Sequence, residues 1–264
     1  MKVRIMNVGP SEAASWLSNG RRNRHISEFV VARYTREMEA GLWQENGDSI
    51  RFDVDGKLID GQHRLKAIIR TGISMECVVV EDLPRSAFET LDRGKRRSTG
   101  DSLSYLGESN ANCLAGALHL IWKYEHGTWH RLRPSQVPSP HELIELLEEH
   151  PGLREFIPIA SLVRKIIAPS MAVGLAYLFS RVDADLVPEF FTKLASGADC
   201  AVDEPVRLLR ERLLTDRVSK AHLPSRDVLA LTVKAWNLTR SGAKVRRLGW
   251  RAEGDSPENF PTIE

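Results

Sequence analysis

The sequence predicts an α+β protein in two parts, a small mixed sheet with helices followed by a mainly helical region. Three observations predict this. Ile50, Phe52 and Val54 alternate with Ser49, Arg51 and Asp53, the period of a half-buried strand. Runs such as 28–40 carry apolar residues at helical spacing in the same half of the chain. From Asp101 to Trp236 helical periodicity continues with almost no strand signal. The change of period divides the chain into domains 1–97 and 98–264. The 264 residues suit one or two domains at roughly 150 residues each, and a chain of that size buries roughly 70–75% of its unfolded surface.

Taken in order, Lys2–Val8 reads as a strand stopped by Gly9-Pro10. Ser11 caps a helix over Glu12–Leu17, which Asn19-Gly20 ends. Ser27 caps a second helix from Glu28 to Ala40, with Val30, Tyr34 and Met38 on one face and Gly41 as its stop. Asp55-Gly56, between the alternating run and Leu58-Ile59, is a two-residue hairpin signal. A third helix runs from Gly61 to Arg70, burying Leu65, Ile68 and Ile69, and Gly72 ends it. Cys77–Val80 is a buried strand. The second half predicts helices at Asn110–Tyr124, His141–Glu149, Ala168–Ser180, Leu186–Leu194, Glu204–Leu214 and Ser225–Asn237, with a linker at Pro134–Pro140.

Charge narrows the function classes. With 37 Lys+Arg against 35 Asp+Glu the net charge is +2, which excludes an acidic disordered tail and a broadly basic coat for nucleic acid. Any such contact must be local. Residues 1–100 hold 17 basic and 14 acidic side chains, the remainder 20 and 21, so the surplus lies in the strand-containing half. No apolar run approaches ~18 residues, and the opening residues do not form a secretory signal. Cys77, Cys113 and Cys200 are widely scattered, as reduced thiols of a cytoplasmic protein are.

One segment carries more chemistry than the rest: Leu58-Ile59-Asp60-Gly61-Gln62-His63-Arg64-Leu65-Lys66-Ala67. It lies where a hairpin strand passes into a helix, a junction that turns backbone N–H groups and the positive dipole end outward as an anion seat. Gly61 lets a ligand approach the backbone. Arg64 offers a planar fork and Lys66 a point charge for phosphate. His63 can exchange protons near neutral pH, and Asp60 can accept a hydroxyl proton or touch a nucleotide-bound Mg²⁺. The same residues also suit a plain helix start, with Asp60 as cap and His63-Arg64 solvated.

The string Gly61-Gln62-His63-Arg64-Leu65-Lys66-Ala67 resembles the Gly-Glu-Arg-Arg-x-Arg-Ala box of the ParB N-terminal domain. It is also similar to the Asp-Gly-His-His-Arg box of ParB-like free serine kinases and the Gly-Gly-Cys-His-Arg box of sulfiredoxins. Asp60-Gly61-Gln62-His63-Arg64 is the string of a set of bacterial proteins linked to DNA modification and mobile elements. The resemblance covers roughly residues 1–97 and implies a ParB/sulfiredoxin-like fold holding a nucleotide phosphate at the box, with CTP or ATP and Mg²⁺ as cofactors. It also implies a phage or plasmid setting; the expected partners are nucleotide, DNA and a second copy in a homodimer. Gln62 stands where sulfiredoxin chemistry needs a thiol, which excludes peroxiredoxin repair. Gln62 and His63 replace Glu and Arg of the ParB box, no later ParB box follows, and no helix-turn-helix is evident.

Two basic segments flank this domain. Asn23-Arg24 corresponds, by the same resemblance, to a polar box that touches triphosphate. Arg93-Gly94-Lys95-Arg96-Arg97 places four cations around a glycine, suited to phosphates of a nucleotide or DNA, or to a solvated interdomain turn. Further on, Trp122, Tyr124, Trp129 and His130 surround Gly127 and suit either base stacking or a helical core. Lys244–Arg251 alternates like a strand, as a second nucleic-acid contact or a strand packing on the first domain.

The expected function is therefore a nucleotide-binding protein that hydrolyses or transfers a phosphoryl group in a DNA-related context. Asp60 and His63 would be catalytic, while Asn23, Arg24, Gly61, Gln62, Arg64 and Lys66 would bind nucleotide. Arg93, Lys95, Arg96 and Arg97 would bind nucleic acid. The alternatives are a DNA-binding regulator with nucleotide as a conformational ligand, a degenerate fold retained as a protein-interaction module and, the least favoured of the activities, a ParB-like nuclease.

Overall fold

Pairing of the strands follows from where the apolar side chains fall. Cys77 and Val79 alternate inward on the central strand, and Val8, Ile50, Phe52 and Leu58 join them in one core. The computed structural model describes residues 1–19, 26–44, 46–90, 98–128, 137–218, 222–253 and 256–264. It is α+β, with a small mixed sheet and many helices. The chain divides into two compact units, Met1–Arg96 with Leu132–Ser139, and Arg97–Arg131 with Pro140–Glu264.

The first unit contains β1 (Lys2–Val8), α1 (Pro10–Ser18), α2 (Glu28–Glu39), β2 (Ser49–Asp53), β3 (Leu58–Asp60), α3 (Gln62–Thr71) and β4 (Met75–Leu83). The strand order is β1-β4-β2-β3. β1 runs antiparallel to β4, β4 parallel to β2, and β2 antiparallel to β3. Helix α3 packs against both α1 and α2, and their apolar faces cover one face of the sheet through Ala13, Val31, Met38, Leu65 and Ile68.

Several expectations shift by a residue or a turn. Helix α1 starts at Pro10, two residues early, because proline suits the first helical turn and Gly9 serves as the N-cap. The buried face of α2 is Val31, Thr35 and Met38, with Tyr34 turned edge-on to Trp43. Four residues, Val54 to Lys57, separate β2 from β3, not two. Asp53 accepts from the Asp55 and Lys57 N–H groups at 2.9 Å each, and Gly56 (φ +68°) completes the reversal. Part of the expected linker belongs to the first unit, where Arg36 donates to the Val137 carbonyl at 2.6 Å.

The second unit holds α4 (Thr99–Tyr105), α5 (Ala111–Glu125), α6 (Pro140–Glu149), α7 (Ile157–Val163), α8 (Pro169–Ser180), α9 (Leu186–Ser196), α10 (Pro205–Val218) and α11 (Ser225–Arg240). No strand occurs among its described residues. Helices α4 and α7 are additions to the sequence reading, although Ser98 and Asp101 form a complete capping box at the start of α4. At its centre Trp236 stacks on Phe179 at 4.2 Å, with Phe190 edge-on to both. Trp122 belongs to the same core and stacks on His126 at 3.9 Å, so its ring serves packing. The residues 244–251 form no strand. They lie on the second unit's own helices, with Lys234 bonding the Gly249 carbonyl and Arg226 over the Trp250 ring. Trp129 and His130 lie outside the described residues.

Candidate functional site

Strand β3 ends at Asp60 and α3 begins at Gln62, so Gly61 must reverse the chain in one residue. It does so at φ +102°, a conformation that costs an L-residue roughly 1–2 kcal/mol. A Cβ there would sit 3.1 Å from Ile50 Cγ1 and 3.3 Å from Ile50 Cα, so the absence of a side chain also lets the turn rest directly on β2. Asp60 Oδ1 accepts the Gly61 N–H at 2.7 Å and fixes the entry into α3.

Asp60 and Arg64 of the box look inward. Arg64 is 8% exposed. Its guanidinium donates to the carbonyls of Asp48 at 2.6 Å and Ser49 at 2.7 Å, and it lies 3.6 Å from Asp60 Oδ2. Arg51 approaches the same Asp60 oxygen at 3.4 Å. The phosphate fork expected of Arg64 is thus occupied as a brace between α3 and the start of β2. Asp60, taken in sequence for a base or Mg²⁺ contact, is held by two guanidiniums and a backbone N–H. One carboxylate so engaged does not fit a metal held by the protein, and among the described residues no group of three His, Cys, Asp or Glu side chains could hold one.

His63 does something the sequence did not signal. Its Nε2 accepts the Ser27 N–H at 3.0 Å, which assigns the ring a neutral form with Nε2 unprotonated in that bond. Ser27 is the N-cap of α2, and its side chain makes no capping bond. His63 therefore caps α2 from α3 and brings the N-terminal ends of the two helices together. Each end carries first-turn N–H groups without a carbonyl partner in its own helix, and roughly half a positive charge. Gln62 is half-buried and Lys66, one turn into α3, is exposed; Glu28 puts a carboxylate in the first turn of α2, where Arg70 pairs with it at 2.5 Å. Asn23, Arg24, Arg93, Lys95, Arg96 and Arg97 lie outside the described residues.

Sequence reasoning missed Ser27, Asp48, Ser49, Ile50 and Arg51, the residues that hold the box in place. Ser27 was legible only as the N-cap of α2 and Ser49, Ile50 and Arg51 only as a strand, and neither pattern hinted that His63 would bond Ser27 or that Arg64 would reach back to the Asp48 and Ser49 carbonyls. A cleft of about 360 Å³ opens elsewhere in the first unit, between Lys2, Trp16, Asn19, Phe52, Glu81 and Asp82, and no box residue lines it. Among the described residues no helix is long and apolar enough to cross a membrane. Compared with protein-family models, curated proteins and solved structures, the chain matches none.

Proposed function

We propose that residues 1–97 form a ParB/sulfiredoxin-like nucleotide-binding unit in which the phosphates rest on the paired N-termini of α2 and α3. The observation that supports this reading is the Ser27–His63 bond, which ties the start of α2 to the first turn of α3, the helix that carries the exposed Lys66. Backbone N–H groups of the Gly61-Gln62-His63 turn and Lys66 would meet the phosphates. Arg24 and Asn23 precede Ser27 in sequence and would add charge and hydrogen bonds from the α2 side. Mg²⁺ would arrive with CTP or ATP, not on a protein cage.

The bonding of Asp60 and His63 favours nucleotide as a conformational ligand over its hydrolysis or phosphoryl transfer. Both proton-transfer candidates already hold backbone groups, so turnover would require breaking the bonds that build the seat. A nucleotide bridging α2 and α3 would instead tighten the pair. In a DNA-related role, Arg93, Lys95, Arg96 and Arg97 would supply phosphate contacts whose strength falls with salt.

A thermal-shift series with CTP, ATP, ADP and GTP, each with Mg²⁺, tests the reading. A ligand at one hundred times its dissociation constant stabilises by ~2.7 kcal/mol. The melting point should rise with one of the triphosphates, and Lys66→Glu should reduce that rise without lowering the ligand-free melting point. Phosphate release measured on the same samples separates binding from turnover. Absence of any nucleotide-dependent shift would sink the proposal.

A further inference from the structure

Strand β1 is the long edge of the sheet. It has seven residues and pairs only with β4 among the described residues, so one side of its backbone presents N–H and C=O groups with no strand against them. Such an edge templates pairing unless it is guarded. Val3 and Ile5 stand on the sheet face opposite the Cys77–Val79 core, 58% and 65% exposed, and their cross-strand neighbours are Val80 and Val78. These four β-branched residues form an apolar stripe running off the edge.

The charges that would ordinarily guard the edge are spent within the chain. Lys2 and Arg4 alternate to the other face, where Lys2 lies 3.3 Å from Asp82 and Arg4 2.8 Å from Glu81. The edge therefore offers no net charge to draw in an acidic or basic strand of another protein.

We propose that β1 is a dimerisation edge that pairs antiparallel with β1 of a second copy, about a two-fold axis at Ile5. In that register Ile5 meets Ile5 of the partner subunit, Val3 meets Asn7 of the partner subunit, and Arg4 meets Met6 of the partner subunit. Charge selects it over the neighbouring register about Arg4, which would oppose two arginines directly. The pairing joins two four-stranded sheets into one and makes the apolar stripes continuous. It is isologous, so it closes at two copies and leaves neither β1 edge open.

Light scattering on the full chain tests it. The wild type should have the mass of a dimer, Ile5→Lys the mass of a monomer with an unchanged circular dichroism spectrum, and Val54→Lys, at an exposed position away from β1, the mass of a dimer. In the second arm, Ile5→Cys should form a covalent dimer on mild oxidation, since opposed Cα atoms lie about 4.5–5.5 Å apart in such a pair, inside the disulfide range. Val54→Cys and the wild type, with its three native thiols, should not. A monomeric wild type, a dimer that survives Ile5→Lys, or failure of Ile5→Cys to cross-link would each overturn the proposal.

Discussion

Arg64 offers the sharpest test of how the box is built. Replacing it with alanine removes two charge-assisted hydrogen bonds, to the carbonyls of Asp48 and Ser49, at a site only 8% exposed. Bonds to charged groups contribute about 1.5–3 kcal/mol each. Losing one member of a buried charged arrangement costs about 3–5 kcal/mol in total, because the remaining acceptors and Asp60 lose their partner. We expect Arg64→Ala to lose about 3–5 kcal/mol of stability in urea unfolding followed by far-ultraviolet circular dichroism, without any ligand present. At roughly 4–8 °C per kcal/mol for a unit of about 100 residues, a loss of 3 kcal/mol lowers its melting point by roughly 12–24 °C. Arg64→Lys restores the charge but cannot reach both carbonyls with one fork, so it should recover less than half. The reasoning fails if Arg64→Ala unfolds at the wild-type urea midpoint. If that variant keeps its stability yet loses the nucleotide-induced thermal shift, Arg64 contacts phosphate and is not a brace.

Two further outcomes follow from the same geometry. Gly61→Ala should destabilise the first unit by about 1–3 kcal/mol, through its positive φ and the 3.1 Å approach to Ile50, and adding Ile50→Val should recover part of that loss in a double-mutant cycle; full additivity would show that the contact does not matter. In the second unit, hydrogen bonds from Arg154 (the closest at 2.5 Å) hold the Glu108 carboxyl below its usual range, against burial, which pushes it up. Its folded value is the lower one, so its contribution is present above the unfolded carboxyl range and is lost as pH falls through the folded value. Because the Arg154 side chain is 35% exposed, Glu108→Gln should cost only about 0.5–1 kcal/mol near neutrality. Urea midpoints should converge as the pH is lowered through the acid range, and a gap that stays constant with pH would show the loss is not electrostatic.

The sequence by itself determined what depends on neighbours along the chain. Gly61 and Gly72 bound α3 because a helix must start and stop where the backbone can turn, and that requirement is local. The helical character of the second unit followed from its period, and the strand-to-helix junction at the box from the change of period around Asp60-Gly61. Tertiary structure decided where the box's side chains point. Arg64 reads as a surface cation because its neighbours His63 and Lys66 are polar. It turns inward because the carbonyls of Asp48 and Ser49, 16 and 15 residues earlier at the start of β2, accept its guanidinium. His63 likewise gains its task from Ser27, 36 residues away. The buried stripe of α2 centres on Val31, Thr35 and Met38, while Tyr34 packs only partly buried at the edge of the same core, edge-on to Trp43. Residues 244–251 alternate like a strand, yet their backbone bonds to Asp203 and Lys234 within their own unit. For Arg64 and His63 a buried or half-buried group had to find its hydrogen-bond partner across space, and no local pattern in the sequence records which partner that is.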